Sequence, residues 1–155
     1  MLFCKELGAE LVINYKNSNF LKLINHYTSH GGVDIILDMV GQKYFNSNIS
    51  ILKESGKLIM IAFLSGSVIK ADLTKIMIKR LTITGSTLRP RTNNEKARIA
   101  KNIYKRYWTA LSKKTIKPII YKIFDLKDAC KAHKLMESSK HLGKIILKIK
   151  KEEKK

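Results

Sequence analysis

The chain has 155 residues, of which 45% are hydrophobic, and its 31 Lys or Arg against 12 Asp or Glu leave a formal charge of +19. That length suits one ordinary domain with a real core. No stretch approaches about 18 uncharged apolar residues, so a membrane span is not expected. The start, Met1-Leu2-Phe3-Cys4-Lys5-Glu6, has neither a basic opening nor a long apolar run, so a secretory signal is not expected either. Two cysteines, Cys4 and Cys130, are too few for a disulfide framework or a four-thiolate zinc site. A soluble, cytoplasmic protein with no membrane partner is the expectation.

The charge is largely compositional. There are 26 Lys and only 5 Arg, and 21 Ile against 8 Ala, the bias that an AT-rich coding sequence produces. Lysines are spread from Lys5 to Lys155, and only residues 148–155 form a run, expected to be a frayed tail. Dedicated nucleic-acid binders cluster their charge and interleave Arg or aromatics. A solvated lysine surface is therefore expected, and any nucleic-acid contact would be nonspecific.

Along the chain, β-rich runs alternate with helical ones. A first helix ends at Gly8, and Leu11-Val12-Ile13-Asn14-Tyr15 reads as a short strand. Ser18 can cap a helix with Phe20, Leu21, Ile24 and Tyr27 on its face, ended by Gly31-Gly32. Residues 33–40 read as a strand buried on both faces, as in a parallel sheet. Asp38 at its end is expected to accept turn N–H bonds rather than to act as acid or base. Phe45, Ile49 and Leu52 have helical spacing, and residues 57–63 form a nearly continuous apolar strand.

After the turn at Ser65-Gly66-Ser67, residues 81–87 alternate as a strand. Thr92-Asn93-Asn94-Glu95 is a capping box. It opens the longest helix, with Ala100, Ile103, Tyr104, Tyr107, Trp108 and Leu111 on its apolar face. A strand at 118–124, a helix at 126–138 and a strand at 144–149 complete the order. On that helix Ala129, Ala132 and Met136 are placed inward, which makes His133 a structural histidine. Strands alternating with helices imply an α/β fold with parallel pairing.

Chemical motifs are sparse. The sequence contains no G-x-G-x-x-G, no A-x-x-G-G-V-G and no P-loop. His26 and His30 are four apart, but no Glu or Cys completes a metal set, so no metal site is assigned. No catalytic residue is assigned either.

Specific residue strings carry more. Leu7-Gly8-Ala9-Glu10-Leu11-Val12-Ile13-Asn14-Tyr15 comes first, then Gly32-Val33-Asp34-Ile35-Ile36-Leu37-Asp38-Met39-Val40-Gly41. Lys57-Leu58-Ile59-Met60-Ile61-Ala62-Phe63-Leu64 follows, then Arg80-Leu81-Thr82-Ile83-Thr84-Gly85-Ser86-Thr87-Leu88-Arg89-Pro90-Arg91. The last string runs from Ala132 to Leu147 and includes His141-Leu142-Gly143-Lys144-Ile145-Ile146-Leu147. Five strings in this order resemble the C-terminal half of zeta-crystallin-like NADPH:quinone oxidoreductases, zinc-free members of the medium-chain dehydrogenase/reductase superfamily.

The resemblance implies a partial Rossmann-type parallel sheet lacking its first two strands and their glycine-rich turn. Residues 1–113 would form the C-terminal part of the cofactor-binding domain. Residues 114–150 would be a strand-helix-strand return to a GroES-like catalytic domain, and 151–155 a charged tail. The implied cofactor is NADPH and the implied acceptor a quinone-type small molecule. The implied partner is a second copy or a complementing N-terminal half.

By the same resemblance, Tyr15 lies beside the adenosine 2′-phosphate, and Met39, Val40 and Gly41 form the loop after the fourth Rossmann strand. Phe63 and Leu64 approach the nicotinamide, Ser86 faces the same crevice, and Gly143 and Lys144 return near the cofactor. Each has a plainer alternative. Tyr15 is otherwise a strand-end ring, Phe63 core packing with only backbone near the cofactor, and Lys144 one more solvated lysine. For the whole chain, the alternatives to a cofactor-side half that is inactive alone are an inactive remnant and a basic RNA-binding module.

Overall fold

The computed structural model describes residues 2–149; the charged tail expected at 151–155 lies outside them. The chain separates into two compact units, Met1–Arg91 and a second beginning at Thr92. The boundary drawn from the resemblance, at 113/114, places the long helix on the other side.

The first unit is built on three parallel strands, β1 (Val33–Asp38), β2 (Leu52–Met60) and β3 (Thr82–Gly85), in the order β1-β2-β3. This is the neighbour order expected for the later strands of a Rossmann sheet. Short helices α1 (Leu2–Glu6) and α2 (Phe20–Tyr27) precede the sheet. Helix α3 (Phe45–Ile51) connects β1 to β2, and α4 (Thr74–Ile78) lies between β2 and β3.

Register makes the core. Ile36, Leu58 and Ile83 are partners across the three strands, and this row packs with Phe45 and Ile49 of α3 around Leu52. Leu58 and Ile49 are essentially sealed from solvent, at 0% and 1% exposure. The other row is uncovered: Ile35 is 61% and Leu37 64% exposed. The expectation that β1 is buried on both faces is therefore corrected. Cβ positions alternate along a strand, and the described helices of this unit seal only one side.

Local differences have local causes. Residues 11–14 are not a strand, because no neighbouring strand offers them a ladder. The chain instead turns at once, with Lys16 N–H donating to Asn14 Oδ1 at 3.1 Å and Asn17 N–H to the Asn14 carbonyl at 3.1 Å. Helix α2 is capped by Asn19, whose Oδ1 accepts from Lys22 N–H at 3.2 Å, and not by Ser18. The apolar run expected to stay in the sheet to residue 63 leaves it after Met60. Helix α4 was not foreseen; its first turn is held by Thr74 N–H donating to Asp72 at 2.9 Å.

The second unit holds α5 (Asn93–Ser112), β4 (Ile120–Asp125), a 3-10 turn (Leu126–Asp128), α6 (Ala129–Glu137) and β5 (Lys144–Lys148). The capping box at the start of α5 is formed: Glu95 N–H donates to Thr92 Oγ1 at 3.3 Å, and Thr92 N–H to Glu95 Oε2 at 2.9 Å. Strands β4 and β5 pair in parallel, with Ile123 opposite Ile146, so the strand-helix-strand return is observed. Ala132 is buried, but Met136 and His133 are exposed, which corrects the inward placement of Met136 and the reading of His133 as a structural histidine. A two-stranded sheet with a single helix has too little apolar area to enclose a histidine.

Candidate functional site

The carboxyl ends of β1, β2 and β3 are joined by a network of loop hydrogen bonds. Asp38, 5% exposed, ends β1 and accepts from Val40 N–H at 2.8 Å and Gly41 N–H at 3.1 Å. It thus shapes the turn, as expected from its place at a strand end. Gly41 has φ +82°, and a Cβ there would stand 2.7 Å from the Gly66 carbonyl and 2.8 Å from Phe63 Cδ1. Only glycine fits both the backbone and the contact.

Residues 63–66 then fasten onto this turn. Leu64 N–H donates to the Met39 carbonyl at 3.1 Å, Ser65 N–H to the Val40 carbonyl at 2.8 Å and Gln42 N–H to the Gly66 carbonyl at 3.0 Å. The Ser65 hydroxyl donates to the Val40 carbonyl at 2.8 Å and accepts from Lys43 N–H at 3.0 Å. Ser86 N–H reaches the Met60 carbonyl at 2.9 Å.

Two clefts result. One, of about 350 Å³, is lined by Tyr15, Met39, Val40, Lys43, Tyr44, Leu64 and Ser65. The other, of about 330 Å³, is lined by Met60, Ile61, Ala62, Phe63, Gly85, Ser86 and Thr87. Tyr15, Met39, Val40 and Leu64 thus meet in the first, Phe63 and Ser86 in the second, while Gly41 holds the loop beneath. Phe63 is 46% exposed, so its ring is not core packing. Sequence reading missed Lys43 and Tyr44. The signal was available: they follow Gly41 directly, at the carboxyl end of a parallel strand, where ligands of open α/β sheets sit.

Gly143 and Lys144 belong to the second unit. Gly143 has φ +96°, a Cβ there would collide with the Ile119 carbonyl, and Lys144 N–H donates to that carbonyl at 2.7 Å. Their local role is to start β5 beside β4.

Displaced pKa values lie outside both clefts. Tyr27 is raised by its hydrogen bond to Glu10, and Asp128 is lowered by its bond to Lys131, which is itself raised. Asp72 is lowered by its hydrogen bonds to Thr74. These are surface pairs and mark no acid-base centre.

Parallel strands with ligand-sized clefts at their carboxyl ends define a Rossmann-type α/β domain portion. The chain belongs to the zinc-binding dehydrogenase family, whose model matches residues 7–147. It is 29% identical to quinone oxidoreductase of Rattus norvegicus over 141 residues, covering 90% of this chain and 41% of the relative. Against quinone oxidoreductase of Homo sapiens the identity is 28% over 145 residues, with the same two coverages of 90% and 41%. The chain thus spans about 41% of the length of these curated relatives, in keeping with the resemblance to a C-terminal half.

Among solved structures, a mycobacterial quinone oxidoreductase superposes with a TM-score of 0.73 at 25% identity, covering 92% of this chain and 44% of that one. The apo JamJ enoyl reductase gives a TM-score of 0.78 at 22% identity, covering 97% and 44%, and shows the fold alone. The family description names zinc, yet among the described residues no three His, Cys, Asp or Glu side chains gather into a metal set. These residues do not fit a zinc ion. No described helix is long and apolar enough to cross a membrane.

Proposed function

We propose that this chain is the cofactor-side part of an NADPH-dependent quinone oxidoreductase of the cytoplasm, inactive by itself. The observation that carries this reading is the pair of clefts at the carboxyl ends of β1–β3, in a chain whose curated relatives include quinone oxidoreductases. The nicotinamide cofactor supplies a hydride for a quinone-type acceptor. Residues of this chain bind and orient it. Met39, Val40 and Leu64 offer apolar contact, Tyr15 and Ser86 offer hydroxyls, and hydrogen-bonded loops shape both clefts. The work of Gly143 and Lys144 on the cofactor is carried by the resemblance alone.

The cleft residues suit an organic cofactor, being mostly apolar with a few polar groups. They do not suit its pyrophosphate, because the loop amides described above already have acceptors and the sequence contains no glycine-rich turn. NADPH alone is therefore expected to bind the isolated chain with a dissociation constant weaker than about 10 µM, which would require roughly 7 kcal/mol. Completion by a second polypeptide, a complementing half or a second copy in a homodimer, restores the activity in this reading.

The test is a chimera in which residues 7–147 replace the matched stretch of the rat quinone oxidoreductase. Quinone-dependent oxidation of NADPH is expected in the chimera and not in the chain alone. The chimera should prefer NADPH to NADH, and Tyr15→Phe should weaken NADPH more than NADH. A folded chimera without activity would overturn the reading, and turnover by the chain alone would overturn its dependence on a partner.

A further inference from the structure

Helix α5 spans 20 residues, and none of them is buried. Its apolar side chains are not scattered. Ile99, Ala100, Ile103, Tyr107 and Leu111 recur at spacings of one, three and four, so they fall on one helical face, with Tyr104 and Trp108 beside them. Ile103, Tyr104, Tyr107 and Trp108 are each about half exposed or more, and the Tyr104 and Trp108 rings lie 5.3 Å apart. Ala100, Lys101, Ile103, Tyr104 and Trp108 frame an open hollow of about 500 Å³.

The charge on this helix is of one sign and stands at the borders of the stripe. Arg98, Lys101 and Lys105, three and four residues apart, run along the Trp108 side, and Arg106, three after Ile103, marks the other. Among the described residues none of these four pairs with a carboxylate. Glu95, the single acidic residue of the helix, is tied into the capping box with Thr92. Lys113, Lys114 and Lys117 follow directly and add to the same sign.

We propose that α5 is a docking surface for an anionic lipid membrane, on which the helix lies flat with the Ile99–Leu111 stripe turned into the headgroup region. The proposal is independent of the cofactor reading, and no cleft residue enters it. Charge complementarity selects an anionic partner, and the sorting of side chains selects a lipid one. A water–lipid boundary takes a continuous apolar stripe with cations along its edges, where long Lys and Arg stems keep the charge in the headgroup layer. Trp and Tyr suit that same depth, being apolar rings with one polar atom. A nucleic-acid groove, by contrast, is met by cations interleaved among the aromatics. A helix in the plane of the interface needs no membrane span, and at 1.5 Å per residue α5 offers a rod of about 30 Å.

The experiment mixes the full chain with vesicles of pure phosphatidylcholine, or of equal parts phosphatidylcholine and phosphatidylserine, and follows flotation and fluorescence. Trp108 is the sole tryptophan, so its emission reports this face alone. Phosphatidylserine vesicles should move the emission to the blue and shield the ring from acrylamide, and pure phosphatidylcholine at the same concentration should do neither. Lys101→Gln with Lys105→Gln should weaken partitioning about 30-fold, the effect of two lysines each worth about 1 kcal/mol near an anionic surface. Lys134→Gln with Lys140→Gln removes the same charge elsewhere and should cost much less. Ile103→Gln keeps a good helix former, so circular dichroism should be unchanged while binding and the blue shift both fall.

Equal losses in the two double variants would show that the +19 charge attracts the membrane diffusely, and would overturn the proposal. Vesicle binding that leaves the Trp108 emission unmoved would overturn it in the same way. A Trp108 shielded from acrylamide in the free chain, or becoming shielded as the chain alone is concentrated, would show protein covering this face and would also overturn it. Polyuridylate or polyglutamate shielding Trp108 more effectively than the vesicles do would assign the face to a nucleic acid or an acidic protein instead.

Discussion

In the first unit a parallel strand pair is connected through α3, and in the second through α6, yet the two pairs differ in what the helix brings. Helix α3 lays Phe45 and Ile49 over Leu52 and Leu58, all four at 6% exposure or less. Helix α6 brings Ala132 alone into burial, while Met136 on the same helix and Tyr121 and Ile123 on β4 stay about half exposed. The same supersecondary plan is thus a core in one place and a surface in the other. The difference lies in side-chain volume: two large apolar residues one helical turn apart can seal a strand pair, and one alanine cannot. It follows that the first unit can hold the loops of the two clefts in fixed geometry by its own packing.

Paired substitutions test this most directly. Ile49→Ala should lower the stability of the first unit by about 2–5 kcal/mol through lost burial and a cavity. Ile123→Ala, at a 55% exposed position on β4, should stay within roughly 0.5 kcal/mol. Denaturant midpoints measure both, and equal losses would mean that the second unit has a core of comparable quality. A smaller loss is expected from Gly41→Ala, about 1–3 kcal/mol, from a positive φ and a Cβ set against the Gly66 carbonyl. Its amide shifts should spread over residues 39–44 and 63–66, the two loops that it would push apart.

In the second unit the best-formed local device is the capping box of α5. Thr92→Ala should cost about 1 kcal/mol and speed amide exchange in the first turn of that helix. A change confined to the helix start, with β4 and β5 unaffected, would show that local capping rather than shared packing holds α5. The smallest effect concerns Asp72, held below the ordinary carboxylate range by its hydrogen bonds to Thr74. A lowered folded-state pKa means stability that is present above the unfolded value of about 3.9 and is lost as pH falls through the folded value. The N-terminal turn of α4 should therefore loosen on acidification below that range. An NMR titration of the Asp72 carboxyl follows this, and Asp72→Asn should remove the dependence.

Legibility varied with the range of the interaction involved. The Thr92 and Glu95 box could be read because both partners lie within one helical turn. The order of strands and helices could be read because each has its own periodicity, and Asp38 because a carboxylate at a strand end meets the next N–H groups of its own turn. Tyr15, Met39, Val40, Phe63, Leu64 and Ser86 were named from matched residue strings, and the two clefts bring them to the carboxyl ends of the strands. Lys43 was hidden among 26 lysines, since only the fold sets one of them beside Tyr44.

By itself the sequence determined the α/β alternation, the parallel pairing that such alternation requires, the capping box and the turn at Gly41. These depend on backbone preferences and on contacts a few residues apart. Tertiary structure alone decided that residues 11–14 form no strand, that β1 is covered on one face, and that His133 and Phe63 lie open. Apolar periodicity states that a side chain is suited to burial. Whether it is buried depends on an element, distant in sequence, arriving with enough volume to cover it.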